Sequence, residues 1–145
     1  MPEKTPKISP QNRRQARSLA MQALCQLDVQ GDDFLNELPG FLADFADEPA
    51  TIEYARELTR HTWHQKDYFD SLIAAAAKHW DIGRMPPPDR NIMRVALCEM
   101  FRPGDPPAKV AIHEAIELGK QFGTAETPAF VNGILDAIRI QNNLE

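Results

Sequence analysis

The sequence predicts an all-α protein, a helical bundle of six to seven helices in two subdomains. Apolar residues recur at three- and four-residue steps along most of the 145-residue chain, which is the pattern of a helix with one buried face. The alternation of β-branched and polar residues that is typical of strands is nearly absent. Proline-rich stretches separate the periodic segments, because proline cannot continue a helix.

The first predicted helix covers residues 10–29 and ends at Gly31. Its apolar positions lie on one face, and they are Ala16, Leu19, Ala20, Ala23, Leu24 and Leu27. Residues 34–45 repeat the pattern, but Pro39 and Gly40 interrupt it, so we expect a kink or two short helices there.

A third periodic stretch, residues 49–80, is longer than a typical helix and turns polar around residues 64–66. We therefore expect two helices or one bent helix. The three prolines at residues 86–88 predict a stiff, extended connector between the two halves of the chain. Asp89 follows them at the position expected for the N-cap of the next helix, which the prolines and glycine of residues 103–106 stop.

Two further helices complete the prediction. Pro107 opens the first of them and Gly123 ends it. Thr127 and Pro128 predict the start of the second, with a hydroxyl cap followed by proline at the first helical position. We expect a flexible tail over residues 1–9, an N-terminal subdomain over residues 10–82 and a C-terminal subdomain over residues 88–141, which together form one domain.

Large apolar side chains on these helical faces are predicted to form the core, and they include Phe41, Phe45, Trp63, Phe69, Trp80, Met93 and Met100. Phe130 lies in the first turn of the last helix, where an apolar side chain can sit at the rim of the core instead. Cys25 and Cys98 lie far apart in apolar helical stretches without a CxxC partner. This placement predicts buried structural thiols rather than a disulfide or a metal site.

The sequence lacks the features of membrane and secreted proteins. Its strongly apolar runs fall far short of the roughly 20 residues that a membrane span requires. No apolar segment follows Lys4 and Lys7 as it would in a signal peptide. We expect a cytoplasmic protein without a membrane partner.

Motifs for catalysis, metal binding or cofactor binding are also absent from the sequence. His61 and His64 are three residues apart, but no further Cys or His completes a zinc shell. His113 and Glu114 are followed by Glu117 rather than by the second histidine of a zinc-binding HExxH motif. No glycine-rich phosphate loop and no nucleophile elbow occur. We therefore expect no enzymatic activity, no metal and no cofactor.

The charge of the chain is distributed unevenly. The net charge is −5, but residues 1–24 sum to +4, which leaves −9 for the remainder. Residues 28–57 are the most acidic part, with nine carboxylates against Arg56 alone. A local basic patch on an acidic body attracts a polyanion to one place and repels it elsewhere.

This basic patch centres on Arg13, Arg14 and Arg17 at the start of the first predicted helix. Arg13 and Arg17 are i, i+4 neighbours on one face. Positive charge at a helix N-terminus opposes the helix dipole and lowers helix stability slightly, which favours a functional explanation. Arginine suits phosphate oxygens and stacks on unpaired bases. The residues alone leave two interpretations open, contact with nucleic acid or a solvated basic face paired with the acidic segment 28–57.

Four segments resemble the NusB family of transcription antitermination factors. Residues 13–24, RRQARSLAMQAL, resemble its opening helix, RRxAR…A(L/V)QAL, and residues 89–97, DRNIMRVAL, resemble its fifth helix. Residues 109–120, KVAIHEAIELGK, and residues 130–136, FVNGILD, resemble its KVAINEAvELAK and FVNGvLD segments. The matches follow the family's order and spacing, whereas residues 28–80 match only in helical character.

The resemblance implies a helical fold of two subdomains and a role in ribosomal-RNA transcription. Members of the family bind boxA-like single-stranded RNA together with a small-subunit ribosomal protein acting as NusE, in the transcription elongation complex. The positions that would contact or lie near the RNA are Arg13, Arg14, Arg17, Phe130 and Glu126. A related helical domain begins some ribosomal-RNA methyltransferases, but we expect no cofactor-binding catalytic domain here.

The resemblance also implies a partner-binding side. Asp89 matches the acidic position that the family uses toward NusE, a role compatible with a plain helix cap. Cys25 lies toward the same side but replaces the family's usual tyrosine. Other departures are Cys98 for a tyrosine, His113 for an asparagine and Gly119 for an alanine.

Two alternatives remain beside the RNA-binding factor. One is a helical protein–protein adaptor without RNA binding, whose acidic segment docks a basic partner. The other is a homodimer in the RNA-free form, in which two first helices bury each other's arginine face.

Overall fold

The computed structural model describes residues 8–78, 80–102 and 105–145, and this part of the chain is helical, without strands. It contains seven α-helices: α1 (Pro10–Gln30), α2 (Leu38–Phe45), α3 (Pro49–His64), α4 (Lys66–Ala76), α5 (Pro87–Met100), α6 (Ala108–Phe122) and α7 (Thr127–Gln141). Short 3-10 turns cover Gly31–Asn36 and Ile82–Arg84. The all-α prediction is confirmed. Most of the expected tail, residues 1–7, lies outside the described residues, and the division into two subdomains stays a prediction.

The first helix begins and ends where its sequence predicts. The Ser9 hydroxyl accepts a hydrogen bond from the Asn12 N–H at 3.1 Å and so caps the N-terminus, while Pro10 occupies the first turn, where its missing N–H costs nothing. Gly31 ends the helix with φ 75°, a left-handed conformation that favours glycine. The predicted break near residues 64–66 is confirmed too, because α3 ends at His64 and α4 begins at Lys66.

Three prolines begin helices that the sequence analysis expected them to interrupt or precede. Pro39 lies in the first turn of α2, and Pro87 and Pro88 form the first turn of α5, so only Pro86 is extended before it. A proline is well tolerated in a first turn, because that N–H has no helical partner in any case. The prediction that Asp89 is the N-cap was therefore wrong, and Asp89 lies inside the first turn of α5.

Helix α5 is the centre of the molecule. It contacts α1, α3, α4, α6 and α7, and every residue from position 91 to position 100 is buried. Helix α1 packs against α3 and α5, and α6 packs against α7. A helix that is buried on all sides must also bury polar side chains, and each of these then needs a hydrogen-bonding partner.

A network of charged side chains joins α1, α4 and α5. Arg94 donates to Asp28 at 2.9 Å and to Asp70 at 2.6 Å. Asp28 also accepts from Asn91 at 2.8 Å and from Arg90 at 3.0 Å. The acidic residue at the end of α1 is thus bound by two arginines of the central helix.

Most of the predicted core residues are buried, Phe41 is half-buried against the core, and two aromatic side chains are exposed. Phe45 is 58% exposed and Trp80 is 57% exposed, so the prediction that they are core residues was wrong. Phe45 is the last residue of α2, and Trp80 lies beyond the end of α4, where helical periodicity no longer decides which way a side chain points. Cys98 is buried as predicted, whereas Cys25 is only half-buried.

We expect Asp28 to make the stability of the fold sensitive to acid. Burial alone would raise the pKa of Asp28, but hydrogen bonds from Arg94 and Asn91 outweigh it and hold the pKa below its ordinary value of 3.8. A carboxyl group with a lowered folded-state pKa stabilises the fold above its unfolded pKa, and this contribution is lost as the pH falls toward the folded value. In urea unfolding, the free energy of unfolding should therefore decrease as the pH drops below the ordinary pKa of an aspartate. The decrease should be smaller in Asp28→Asn.

The exposed Asp33 provides the matched control, since Asp33→Asn should retain the acid dependence of the wild type. An Asp28→Asn variant that loses as much stability between about pH 5 and about pH 2 as the wild type would contradict the assignment.

Candidate nucleic-acid interface

The three arginines singled out from the sequence lie in the first turns of α1, and each binds a carboxylate from the second half of the chain. The ion pairs are Arg13 with Asp105, Arg14 with Glu114 and Arg17 with Glu99. The alternative in which this basic face pairs with the acidic segment 28–57 was therefore wrong. The fold holds the start of α1 against α5, α6 and the loop between them.

Arg17 does not lie on the surface with its neighbours. Arg17 is only 4% exposed, and its Nε donates a hydrogen bond to the fully buried Glu99 at 2.6 Å. Burial alone would lower the pKa of Arg17, but the hydrogen bond and the charge of Glu99 outweigh it and raise the pKa. Arg17 is thus a charged group inside the protein, whereas the sequence analysis expected an RNA-contacting side chain.

Arg13 lies at the edge of the surface and is held from two sides. Its two Nη atoms each donate to a carboxylate oxygen of Asp105 at 2.9 Å, and this hydrogen bonding raises the pKa of Arg13. Its Cζ lies 5.3 Å from the centroid of the Tyr54 ring. Arg13 also lines a cavity of about 300 Å³ together with Pro106 and Val110.

Arg14 is the most accessible of the three, with a side chain that is 60% exposed. Only its Nε donates to Glu114, at 3.0 and 3.1 Å to the two oxygens. Its Nη groups make no hydrogen bond to any of the described residues. They are free to donate to a second acceptor, and the paired geometry of a guanidinium suits a phosphate.

The other two predicted RNA positions lie at a different place. Glu126 and Phe130 line a cavity of about 280 Å³, which they share with Asp89, the predicted partner residue. Phe130 is half-buried, and its ring meets the exposed Trp80 ring edge to face, with the centroids 5.6 Å apart. The position of Trp80 on the surface was not predicted, because its apolar character alone indicated a place in the core.

Asp89 is fixed in this cavity by the last helix. Its carboxylate accepts a hydrogen bond from the Thr127 hydroxyl at 3.0 Å, and burial raises the pKa of Asp89. The prediction that Thr127 caps α7 was wrong, because its hydroxyl binds Asp89 and accepts from the Thr124 N–H at 2.9 Å. Gly123 makes room for this arrangement, since a side chain there would collide with Thr127.

Cys25 lies apart from the cavity that contains Asp89. Its Sγ accepts a hydrogen bond from the Asn91 side chain at 3.4 Å. Burial raises the pKa of the Cys25 thiol, so it stays protonated at neutral pH. The two predicted partner positions therefore do not share one pocket.

Two further observations concern only the described ranges of the chain. No cluster of three or more His, Cys, Asp or Glu side chains there could hold a metal ion. None of the helices there is both long and apolar enough to cross a membrane.

Comparisons with known proteins agree on one family. Residues 14–139 match the model of the NusB family. The transcription antitermination protein NusB of Desulforapulum autotrophicum is 39% identical over 136 residues, which cover 92% of this chain and 95% of that protein. The structure of T. maritima NusB matches with a TM-score of 0.78 and 33% identity, over 93% of this chain and 94% of that one.

A chain from a crystal structure of the antitermination factors NusB and NusE in complex with dsRNA has the same fold. It matches with a TM-score of 0.80 and 23% identity, over 92% of this chain and 99% of that chain.

The burial of Arg17 and Glu99 leads to a stability prediction. Glu99→Ala leaves the Arg17 guanidinium buried without its carboxylate, which should cost about 3–5 kcal/mol in free energy of unfolding measured with urea. Glu53→Ala is the matched control, because it breaks the exposed pair with Arg56 and should cost no more than about 1 kcal/mol. Equal losses of unfolding free energy in the two variants would show that the buried pair stabilises the fold no more than an exposed pair does.

Proposed function

This chain belongs to the NusB family, and we propose that it is a transcription antitermination factor that binds boxA-like single-stranded RNA of ribosomal-RNA operons together with the ribosomal protein acting as NusE. The curated relatives are named as transcription antitermination proteins, and a chain of the same fold was crystallised with NusE and dsRNA. The observation that carries the RNA-binding part is the exposed Arg14 guanidinium beside Arg13 at the start of α1. The factor works in the elongation complex in the cytoplasm and catalyses no reaction.

The arginine surface, formed by Arg13 and Arg14, is the proposed phosphate-binding part of the RNA site. Both side chains already bind a carboxylate, but exposed ion pairs contribute only about 0–1 kcal/mol. An RNA phosphate can therefore replace Glu114 or Asp105 at small cost, and each new contact releases counterions from the RNA. Arg17 supports this surface from below by fixing α1 and does not itself bind phosphate.

The cavity around Phe130 is the proposed site at which both RNA bases and NusE bind. The exposed Trp80 ring beside Phe130 offers an aromatic surface on which an unpaired base can stack. Glu126 is exposed and accepts a hydrogen bond from the Thr124 hydroxyl at 3.0 Å, so its carboxylate is placed to accept from a base amino group. Asp89 faces NusE from the same cavity, and Cys25 extends the partner surface from α1.

Substitutions at the arginine surface should change RNA affinity in both directions. Arg14→Ala removes a phosphate contact and should lower affinity, whereas Glu114→Gln removes the competing carboxylate and should raise it. Each phosphate contact contributes about −0.7 to the log–log salt slope, so the slope should be shallower by about 0.7 in Arg14→Ala than in the wild type. Fluorescence anisotropy with a boxA-like RNA, with and without NusE, measures both quantities.

Arg56→Ala is the charge-matched control, since Arg56 forms an ion pair on the α3 surface. This variant should leave the salt slope unchanged. An Arg13→Ala/Arg14→Ala variant that binds the RNA as the wild type does would overturn the assigned site. NusE binding without any RNA binding would favour the adaptor, and a dimer that dissociates on RNA addition in light scattering would show the RNA-free homodimer.

The role of Asp89 toward NusE can be tested without disturbing the fold. Asp89→Asn keeps an oxygen that accepts the Thr127 hydrogen bond but removes the charge. We expect the affinity for NusE in calorimetry to fall by about tenfold or more, as for a buried charge that loses its partner, while RNA binding without NusE stays unchanged. Asp81→Asn, an exposed carboxylate in the preceding segment, is the control, and equal NusE affinity in both variants would refute the assignment.

A further inference from the structure

Tyr54 lies on α3 directly behind the arginine surface. Its hydroxyl donates a hydrogen bond to one oxygen of the buried Glu99, whose other oxygen accepts from Arg17. Burial and the negative charge of Glu99 raise the pKa of Tyr54, so the phenol stays neutral and remains a donor. The hydroxyl end of the ring is thus anchored to a group that α1 and α5 hold in place.

Two guanidinium groups lie close to this anchored ring. The Cζ atoms of Arg13 and Arg102 lie 5.3 Å and 5.8 Å from the ring centroid. Both distances fall within the roughly 6 Å over which an aromatic ring attracts a cation. Arg102 follows the end of α5, and no sequence motif points to it.

Two like charges gathered at one ring repel each other unless something offsets their repulsion. The aromatic ring offsets part of this repulsion, and the carboxylate of Asp105, which pairs with Arg13, offsets more of it. Arg102 is half-buried and, among the described residues, makes no ion pair with a carboxylate. A phosphate suits Arg102 as a partner, because a guanidinium group that lacks a carboxylate can donate to its oxygens.

We propose that Tyr54 is a positioning residue of the RNA site, which holds Arg13 in place and brings in Arg102 as a further phosphate-contacting residue. The inference rests on the proposed RNA-binding function and deepens it. It adds α3 and the end of α5 to a surface that the sequence assigned to α1 alone.

The rival explanation is that Tyr54 serves only the packing of α3. Two variants separate the explanations, since both remove the hydrogen bond to Glu99 but only one removes the ring. Tyr54→Phe keeps the aromatic face, and Tyr54→Leu does not. A purely structural role predicts that RNA affinity follows stability, whereas a positioning role predicts that it follows the ring.

The experiment measures boxA-like RNA affinity of the full chain bound to NusE at several salt concentrations, with urea unfolding of each variant alone. We expect lower urea midpoints for both tyrosine variants, RNA affinity within about twofold of wild type for Tyr54→Phe, and a loss of about three- to tenfold for Tyr54→Leu. Arg102→Ala leaves the tyrosine intact. It should lose affinity similarly and make the salt slope shallower by about 0.7.

The outcomes distinguish this inference from the function on which it rests. In an Arg13→Ala background the effect of Tyr54→Leu should shrink, because one of the two positioned groups is gone. A folded Tyr54→Leu that binds RNA like Tyr54→Phe, or an Arg102→Ala variant with unchanged affinity and slope, would overturn the inference. If Tyr54→Leu does not fold, the Arg102→Ala measurement decides. Unchanged binding in Arg13→Ala/Arg14→Ala would instead overturn the proposed RNA site.

Discussion

The buried ion pair between Arg17 and Glu99 is the interaction on which the placement of α1, α3 and α5 depends. An unpaired charge inside a protein costs several kcal/mol, so both groups must find partners when the helices pack. Glu99 has them only where α1 brings Arg17 to one oxygen and α3 brings the Tyr54 hydroxyl to the other. Hydrophobic faces permit many small shifts of one helix along another, whereas this set of hydrogen bonds permits very few. The position of Arg13, one turn before Arg17, follows from the same constraint.

The helices could be predicted from the sequence because their apolar faces and end signals are local. Gly31 and the polar stretch at residues 64–66 act within a few residues, and their predicted effects are confirmed. The central helix shows where this reasoning stops. Periodicity counts polar residues as solvent-facing, yet Asn91, Arg94 and Glu99 are buried in α5 because their partners come from other helices. Whether a proline begins or interrupts a helix depends likewise on where the neighbouring segments end. The same holds for the exposure of Phe45 and Trp80.

The candidate site also combines features that the sequence predicts with features that only the fold determines. The arginine cluster is visible in the sequence because its members are adjacent, and the family resemblance adds Phe130, Glu126 and Asp89 by position. Neither source shows which side chains remain accessible. That depends on carboxylates about 80 to 100 residues away, which bind the buried Arg17, hold Arg13 and leave the two Nη groups of Arg14 without a partner among the described residues. Tyr54 and Arg102 have no local signal at all, since only the fold places them beside Arg13.

The proposed RNA site consists of arginines that already bind carboxylates, and this arrangement limits its affinity. Phosphates must exchange with Asp105 and Glu114, so each contact gains the difference between two ion pairs rather than a full one. On a chain of net charge −5, this difference is small for a random polyanion that offers only phosphates. An RNA that also stacks a base near Trp80 and Phe130 gains an additional, non-ionic contribution. In the proposed site, the carboxylates should therefore weaken unspecific binding more than they weaken the binding of an RNA that is held at both places and by NusE.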